Sequence, residues 1–162
     1  MQPKQKAIIV RPQYFFYSNA HLIGRKGLIC LEEIKYHDVV KNALIREGWT
    51  ITHDPYYFVD TDPQLSTDIG AERLMAAENA TQKIVVEVKS FLEESQVVEL
   101  EKAIGQYGLY RRFLAKQAPK RTLYLAVLPR HAFEDIFSRQ VGLEAIEEFH
   151  LLLFVYSLLE NA

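Results

Sequence analysis

Lys83-Ile-Val-Val-Glu-Val-Lys89 is the stretch on which the fold turns. Its density of β-branched residues predicts a strand. Strand side chains alternate between faces, so Glu87 and Lys89 project to one side and Val88 to the other. Two charges on one face of an otherwise apolar strand are costly to bury. Such a strand either faces water or builds a site. An acid-x-Lys tripeptide alone is most often the wet face of an edge strand, so its surroundings decide.

Downstream, Val97, Val98, Leu100, Ala103, Ile104, Tyr107, Leu109, Tyr110 and Leu114 form a broad apolar stripe, which predicts a helix from about Ser95 to Ala115. Glu99, Glu101, Lys102, Arg111 and Arg112 fall on its polar face, and Pro119 closes the unit. Arg121–Leu128 reads as a second apolar strand ended by Pro129, His131–Phe137 and Glu144–Phe149 as short helices, and Leu151–Tyr156 as a last strand. Upstream, Val39, Val40, Ala43, Leu44 and Trp49 recur near helical spacing, with Gly48 where a helix stops. Thr50–Thr52 is a short strand ended by Asp54-Pro55, Tyr56–Ser66 is loop-like, Thr67–Glu72 a short strand, and Met75–Gln82 a polar turn. This order implies an α/β layer fold, a mixed central sheet flanked by helices.

The chain has 162 residues, which favours one domain with a real core. Residues 1–30 differ in texture, with Tyr14, Phe15, Phe16, Tyr17 and scattered basic residues, and are expected to form a peripheral extension or a strand pair ahead of a domain spanning 31–162. At a net charge of −2, a nucleic-acid contact has to be local or assisted by metal. Cys30 is the single cysteine, which excludes an intrachain disulfide and a cysteine-based zinc site. No apolar run approaches the roughly 18 residues needed to cross a bilayer, and no signal-peptide core follows Ala7–Val10, so a cytoplasmic protein without membrane contact is expected.

If Asp68 lies on the strand beside Glu87, two carboxylates meet across the ladder, and a divalent cation relieves their repulsion. Oxygen donors with open water positions suit Mg²⁺ or Mn²⁺. Such an ion polarises a phosphodiester and activates water, while Lys89 orients the water and stabilises charge on the phosphate.

Asp68, a spacing of 19 residues, Glu87-x-Lys89 and a following long helix resemble the order of the PD-(D/E)XK nuclease superfamily, whose core is restriction-endonuclease-like. The resemblance implies that Asp68 is the first acid, Glu87 the second and Lys89 the catalytic lysine, with the Val88 carbonyl as a further metal ligand. Thr67 precedes Asp68 where the motif's name has Pro. The superfamily often has another acid on its first helix, where this chain offers His37, Asp38 and Glu47, and His37 is the expected extra ligand. Gln106 and Tyr110 repeat the Gln-x-x-x-Tyr spacing of the RecB-like branch and are candidate DNA contacts on one helix face, although a core tyrosine is the commoner use of such a position.

Blocks at Tyr36–Pro55, Asp68–Glu72, Lys83–Phe91, Leu100–Tyr110 and Leu123–Val127 resemble the XisH family, controlling factors for excision of the fdxN DNA element found mainly in cyanobacteria. That resemblance implies a small XisI-like partner, DNA, and a site-specific recombinase as candidate partners. Three functions follow as expectations: a metal-dependent endonuclease acting on DNA, a non-catalytic excision accessory that binds DNA or a recombinase, and a regulatory protein whose main contact is XisI-like.

Overall fold

A computed structural model describes residues 25–75, 80–92 and 95–155, with only the backbone course given for 25–35 and 129–131. Helix α1 (Arg25–Arg46) leads into strands β1 (Thr50–His53), β2 (Tyr56–Tyr57), β3 (Ser66–Thr67), β4 (Ile69–Met75) and β5 (Ala80–Lys89). Helix α2 (Gln96–Gln117), β6 (Arg121–Val127), a wide helix over Pro129–Phe137, α3 (Gln140–Phe149) and β7 (Leu153–Val155) follow. The main sheet runs β1-β4-β5-β6-β7, and β2 pairs with β3 apart from it. β1 and β5 both lie antiparallel to β4, whereas β5, β6 and β7 are parallel. The expected mixed sheet flanked by helices is therefore present.

Helix boundaries follow from local chemistry. Gly48 takes the left-handed conformation (φ 84°), and Trp49 N–H returns to the Leu44 carbonyl at 3.0 Å, closing α1. The Ser95 hydroxyl accepts from Val98 N–H at 3.4 Å and opens α2. The Pro129–Phe137 helix is of π type, with Phe133 N–H bonded to Leu128 and Ser138 N–H to Phe133.

Alternation along β5 feeds two cores. Val85 joins Phe91, Leu100, Ala103, Tyr107, Leu114, Leu125 and Phe137 beneath α2. Ile84 and Val86 join Val40, Leu44, Ile69, Ala71, Ala126 and Phe154 beneath α1. The central strand is buried on both faces, which explains its run of β-branched residues. Tyr107 fastens α2 to the sheet: its hydroxyl donates to the Leu123 carbonyl at 3.0 Å and accepts from Leu152 N–H at 3.2 Å.

Several sequence expectations need correction. The hairpin strands are longer than composition suggested, since β4 runs on to Met75 and β5 begins at Ala80. Cross-strand pairing from Ile69↔Val86 to Met75↔Ala80 recruits those polar residues into the ladder. Tyr56–Ser66 is loop-like only in its middle, because Tyr56 and Tyr57 pair with Thr67 and Ser66. α3 starts at Gln140 rather than Glu144, because Gly142 packs closely on the preceding helix. The backbone of residues 25–30 is helical, so α1 runs across the boundary drawn between residues 30 and 31; residues 1–24, including the aromatic cluster, lie outside the described residues. No helix among the described residues is long and apolar enough to cross a membrane.

Two glycine substitutions test this packing. A Cβ at Gly142 would overlap the Ile136 carbonyl oxygen and the Phe137 backbone, whereas one at Gly105 meets nothing within 4 Å. Urea denaturation should show Gly142→Ala destabilised by about 3 kcal/mol or more. Gly105→Ala should be stabilised by up to about 1 kcal/mol through helix propensity.

Candidate functional site

The chain changes sheets at Asp68. Thr67 still pairs with Tyr56, while Ile69 already pairs with Val86. Continuing the β4–β5 register one step sets Asp68 opposite Glu87. The Thr67 hydroxyl donates to the Val86 carbonyl at 3.1 Å, and Asp68 Oδ2 accepts from Val88 N–H at 2.7 Å. The carboxylate thus caps a strand amide that lies beyond the end of β4. Glu87 is 7% exposed, and its Oε1 lies 3.0 Å from Lys89 Nζ. As the period-2 alternation requires, Glu87 and Lys89 share a side.

A polar cavity opens at this end of the sheet. Tyr36 and His37 of α1, Asp68, the run Glu87–Ser90 and Glu99 of α2 line it. Glu99, which periodicity assigned to the polar face of α2, has a side chain only 13% exposed and pairs with Lys102 at 3.0 Å. Nothing in its local sequence marks it; the cue lies in spacing, because Glu99, Gln106 and Tyr110 recur at seven and four residues along α2 and share a face.

Burial raises the proton affinity of both carboxyls. For Asp68, desolvation is opposed by the Val88 N–H and by the charges of His37 and Lys89. For Glu87, desolvation acts first and the negative charge of Asp68 adds to it, against Lys89 and Thr67. Tyr110 is pushed up to about 12, chiefly by burial and further by Glu87 and Asp68. For Tyr110 the commoner expectation, a core tyrosine, is the one the structure shows. It belongs to the core, stacked on Phe58 at 5.3 Å between ring centroids, and it also feels the acid pair. The Gln106 Oε1 is buried without a hydrogen-bond partner among the described residues.

His37 lines the cavity but is turned elsewhere. Its Nε2 lies 2.9 Å from Asp54 Oδ1, and Lys41 Nζ holds the other oxygen of Asp54 at 2.6 Å. Among the described residues, no three His, Cys, Asp or Glu side chains are grouped closely enough to hold a metal ion. The pair Asp68 and Glu87 nevertheless fits an oxygen-ligand cation, because a half-buried and a buried carboxylate lie close enough to repel each other, with Lys89 as the ammonium held on Glu87. Any further donor has to come from Val88, solvent or substrate.

The raised carboxyls make a stability prediction. Asp68 binds its proton more tightly folded than unfolded, so its contribution to stability falls as pH rises from the ordinary value of 3.8 through its folded value. Asp68→Asn keeps an acceptor for Val88 N–H and removes the charge. Its thermal midpoint in metal-free buffer should exceed the wild type's at neutral pH, with the gap closing below pH 3.8. A lower midpoint at neutral pH refutes desolvation as the dominant influence.

The XisH protein family model matches residues 32–162. An XisH family protein from Nostoc punctiforme is 38% identical at a TM-score of 0.66, with 75% of this chain and 89% of that one covered. An fdxN element excision controlling factor protein from Anabaena variabilis is 40% identical at a TM-score of 0.66, covering 75% and 88%. No curated protein matches the chain. The family match extends over most of the chain, and the solved relatives share its fold at well over 30% identity; this chain belongs to the XisH family.

Proposed function

We propose that this chain is an excision controlling factor whose Asp68, Glu87 and Lys89 form a PD-(D/E)XK-type, metal-dependent endonuclease site for DNA phosphodiesters. The observation that carries the reading is the Asp68–Val88 hydrogen bond of 2.7 Å, which holds one carboxylate opposite Glu87 in a cavity open to solvent. The name borne by the Anabaena variabilis relative supports the biological context.

Each residue has a part in this chemistry. Asp68 and Glu87 would hold Mg²⁺ or Mn²⁺, with the Val88 carbonyl as a third donor, while His37 lines the same cavity but is engaged by Asp54. The cation, when bound, polarises the phosphodiester and activates water. Lys89, whose ammonium lies 3.0 Å from Glu87, would meet the negative charge developing on the phosphate. The Tyr110 hydroxyl, with its pKa pushed up to about 12, stays protonated at neutral pH and offers a donor toward the acids. Gln106, whose buried Oε1 has no partner among the described residues, is the second candidate DNA contact on the same helix face. A small XisI-like protein and a site-specific recombinase are the protein partners proposed alongside DNA. The Glu87–Lys89 ion pair favours one alternative, a self-neutralised scaffold that binds a recombinase or an XisI-like chain without cutting.

Glu87→Ala and Lys89→Ala separate these readings. Glu87→Ala should lose Mn²⁺ binding in calorimetry and plasmid nicking together. Lys89→Ala should still bind Mn²⁺ while nicking falls by roughly 10²–10³-fold. Wild type that binds Mn²⁺ yet nicks no supercoiled, branched or single-stranded DNA establishes the scaffold reading instead.

A further inference from the structure

The outer face of α2 carries charges in an order that is its own complement. The inner side of the helix is filled by Leu100, Ala103, Tyr107, Tyr110 and Leu114. On the outer side, Val98, Glu101, Gly105, Gly108, Arg112 and Ala115 are all exposed. Steps of three and four residues align them in a single seam along the helix. Leu109 flanks the seam. Periodicity assigned Val98 and Leu109 to the apolar stripe, yet they stand 43% and 54% exposed.

The charges of this seam are unmatched within one chain. Neither Glu101 nor Arg112 has an opposite charge three or four residues away on α2, in contrast to Glu99 and Lys102. The ion pairs among the described residues engage neither of them. Between them lie Gly105 and Gly108, in a helix interior where glycine is less favourable than Ala. A Cβ at either position meets nothing within 4 Å, so no neighbour in the chain requires these glycines.

A second copy matches what one chain leaves open. Glu101 and Arg112 share a midpoint between Gln106 and Tyr107, and so do Gly105 and Gly108, and Val98 and Ala115. A two-fold axis through that point, perpendicular to α2, runs two copies of the helix antiparallel. It sets Glu101 of each copy against Arg112 of the other and Val98 against Ala115. The glycines meet at the centre, where the missing side chains let the backbones approach. A parallel pair instead opposes Glu101 to Glu101 and Arg112 to Arg112.

We infer that this chain forms a two-fold homodimer through the outer face of α2, antiparallel and held in register by two Glu101–Arg112 pairs. The contact runs roughly 28 Å along the helix, from Val97 to Lys116 at about 1.5 Å per residue. At one helix width it is small beside the roughly 1,200–2,000 Å² of a standard interface, so the dimer is reversible and concentration-dependent. The inference goes beyond the reading of the Asp68–Glu87 cavity and does not rest on it.

Sedimentation velocity of the full-length protein, from micromolar to near-millimolar concentration, reads the dimer directly. Wild type should pass from monomer to dimer across that range. Glu101→Arg and Arg112→Glu each turn both pairs into like charges, and each should weaken dimerisation by at least about tenfold. Mixing the two variants restores both pairs in a heterodimer, and association should return to within about threefold of wild type. Gly105→Gln, which places a side chain at the crossing, should weaken dimerisation as well. Circular dichroism of each variant at low micromolar concentration should match the wild type, because the substituted positions are exposed. A wild type that stays monomeric throughout overturns the inference and leaves the face to a different protein. A wild-type dimer that the single variants leave intact overturns it by placing the interface elsewhere. Single variants that dissociate but do not reassociate on mixing overturn the antiparallel register.

Discussion

The hydrogen bond from Val88 N–H to the Asp68 carboxylate, 2.7 Å long, sets the position of everything at the functional end of the fold. β4 begins at Ile69, opposite Val86, so β5 outruns its neighbour by the residues that follow. A half-buried amide without an acceptor is expensive. Asp68 supplies the acceptor, and in doing so places its second oxygen and its charge beside Glu87. The same bond lowers the proton affinity of Asp68, but desolvation outweighs it. The site is therefore assembled by satisfying the backbone, and what remains is electrostatic tension between a half-buried acid, Asp68, and a buried one, Glu87.

The fold around this bond keeps that tension open to solvent. Two hydrophobic layers clamp the sheet, one under α1 and one under α2. Both helices reach the C-terminal end of β5, where α1 contributes Tyr36 and His37 and α2 contributes Glu99. At the opposite end, Glu72 is shared by Arg121 and Lys83, and the Arg121 side chain is 8% exposed. Two cations share one acid at that end. At the cavity end, Lys89 and the paired Lys41 and Lys102 meet a larger number of acids. That contrast sets the acidic cavity end apart from the ion cluster at the other end.

Much of this was legible in the sequence wherever one local rule governed the outcome. The β-branched run Ile84–Val86 marked the central strand, because a strand buried on both faces needs apolar residues at every position. The side shared by Glu87 and Lys89 followed from alternation alone. Ser95 and Gly48 marked helix ends, because capping and the left-handed conformation are properties of a few neighbouring residues. The polar start of β5 and end of β4 were misread as a turn because their pairing stabilises residues whose own preferences are weak.

What the sequence by itself determined was most of the elements and the one side of β5 that Glu87 and Lys89 share, with Asp68 as an expected companion from upstream. Only the tertiary structure decided how they meet. The switch of sheets at Asp68 depends on where β3 stops pairing with β2 and β4 begins pairing with β5, a register set by two different partner strands. The engagement of His37 by Asp54 depends on how α1 packs across β1. The arrival of Glu99 at the cavity depends on the rotation of α2 about its own axis, which the burial of Leu100, Ala103, Tyr107 and Leu114 fixes. Local propensity is written residue by residue, whereas these placements arise from packing between segments far apart in the chain, and no single stretch of sequence contains them.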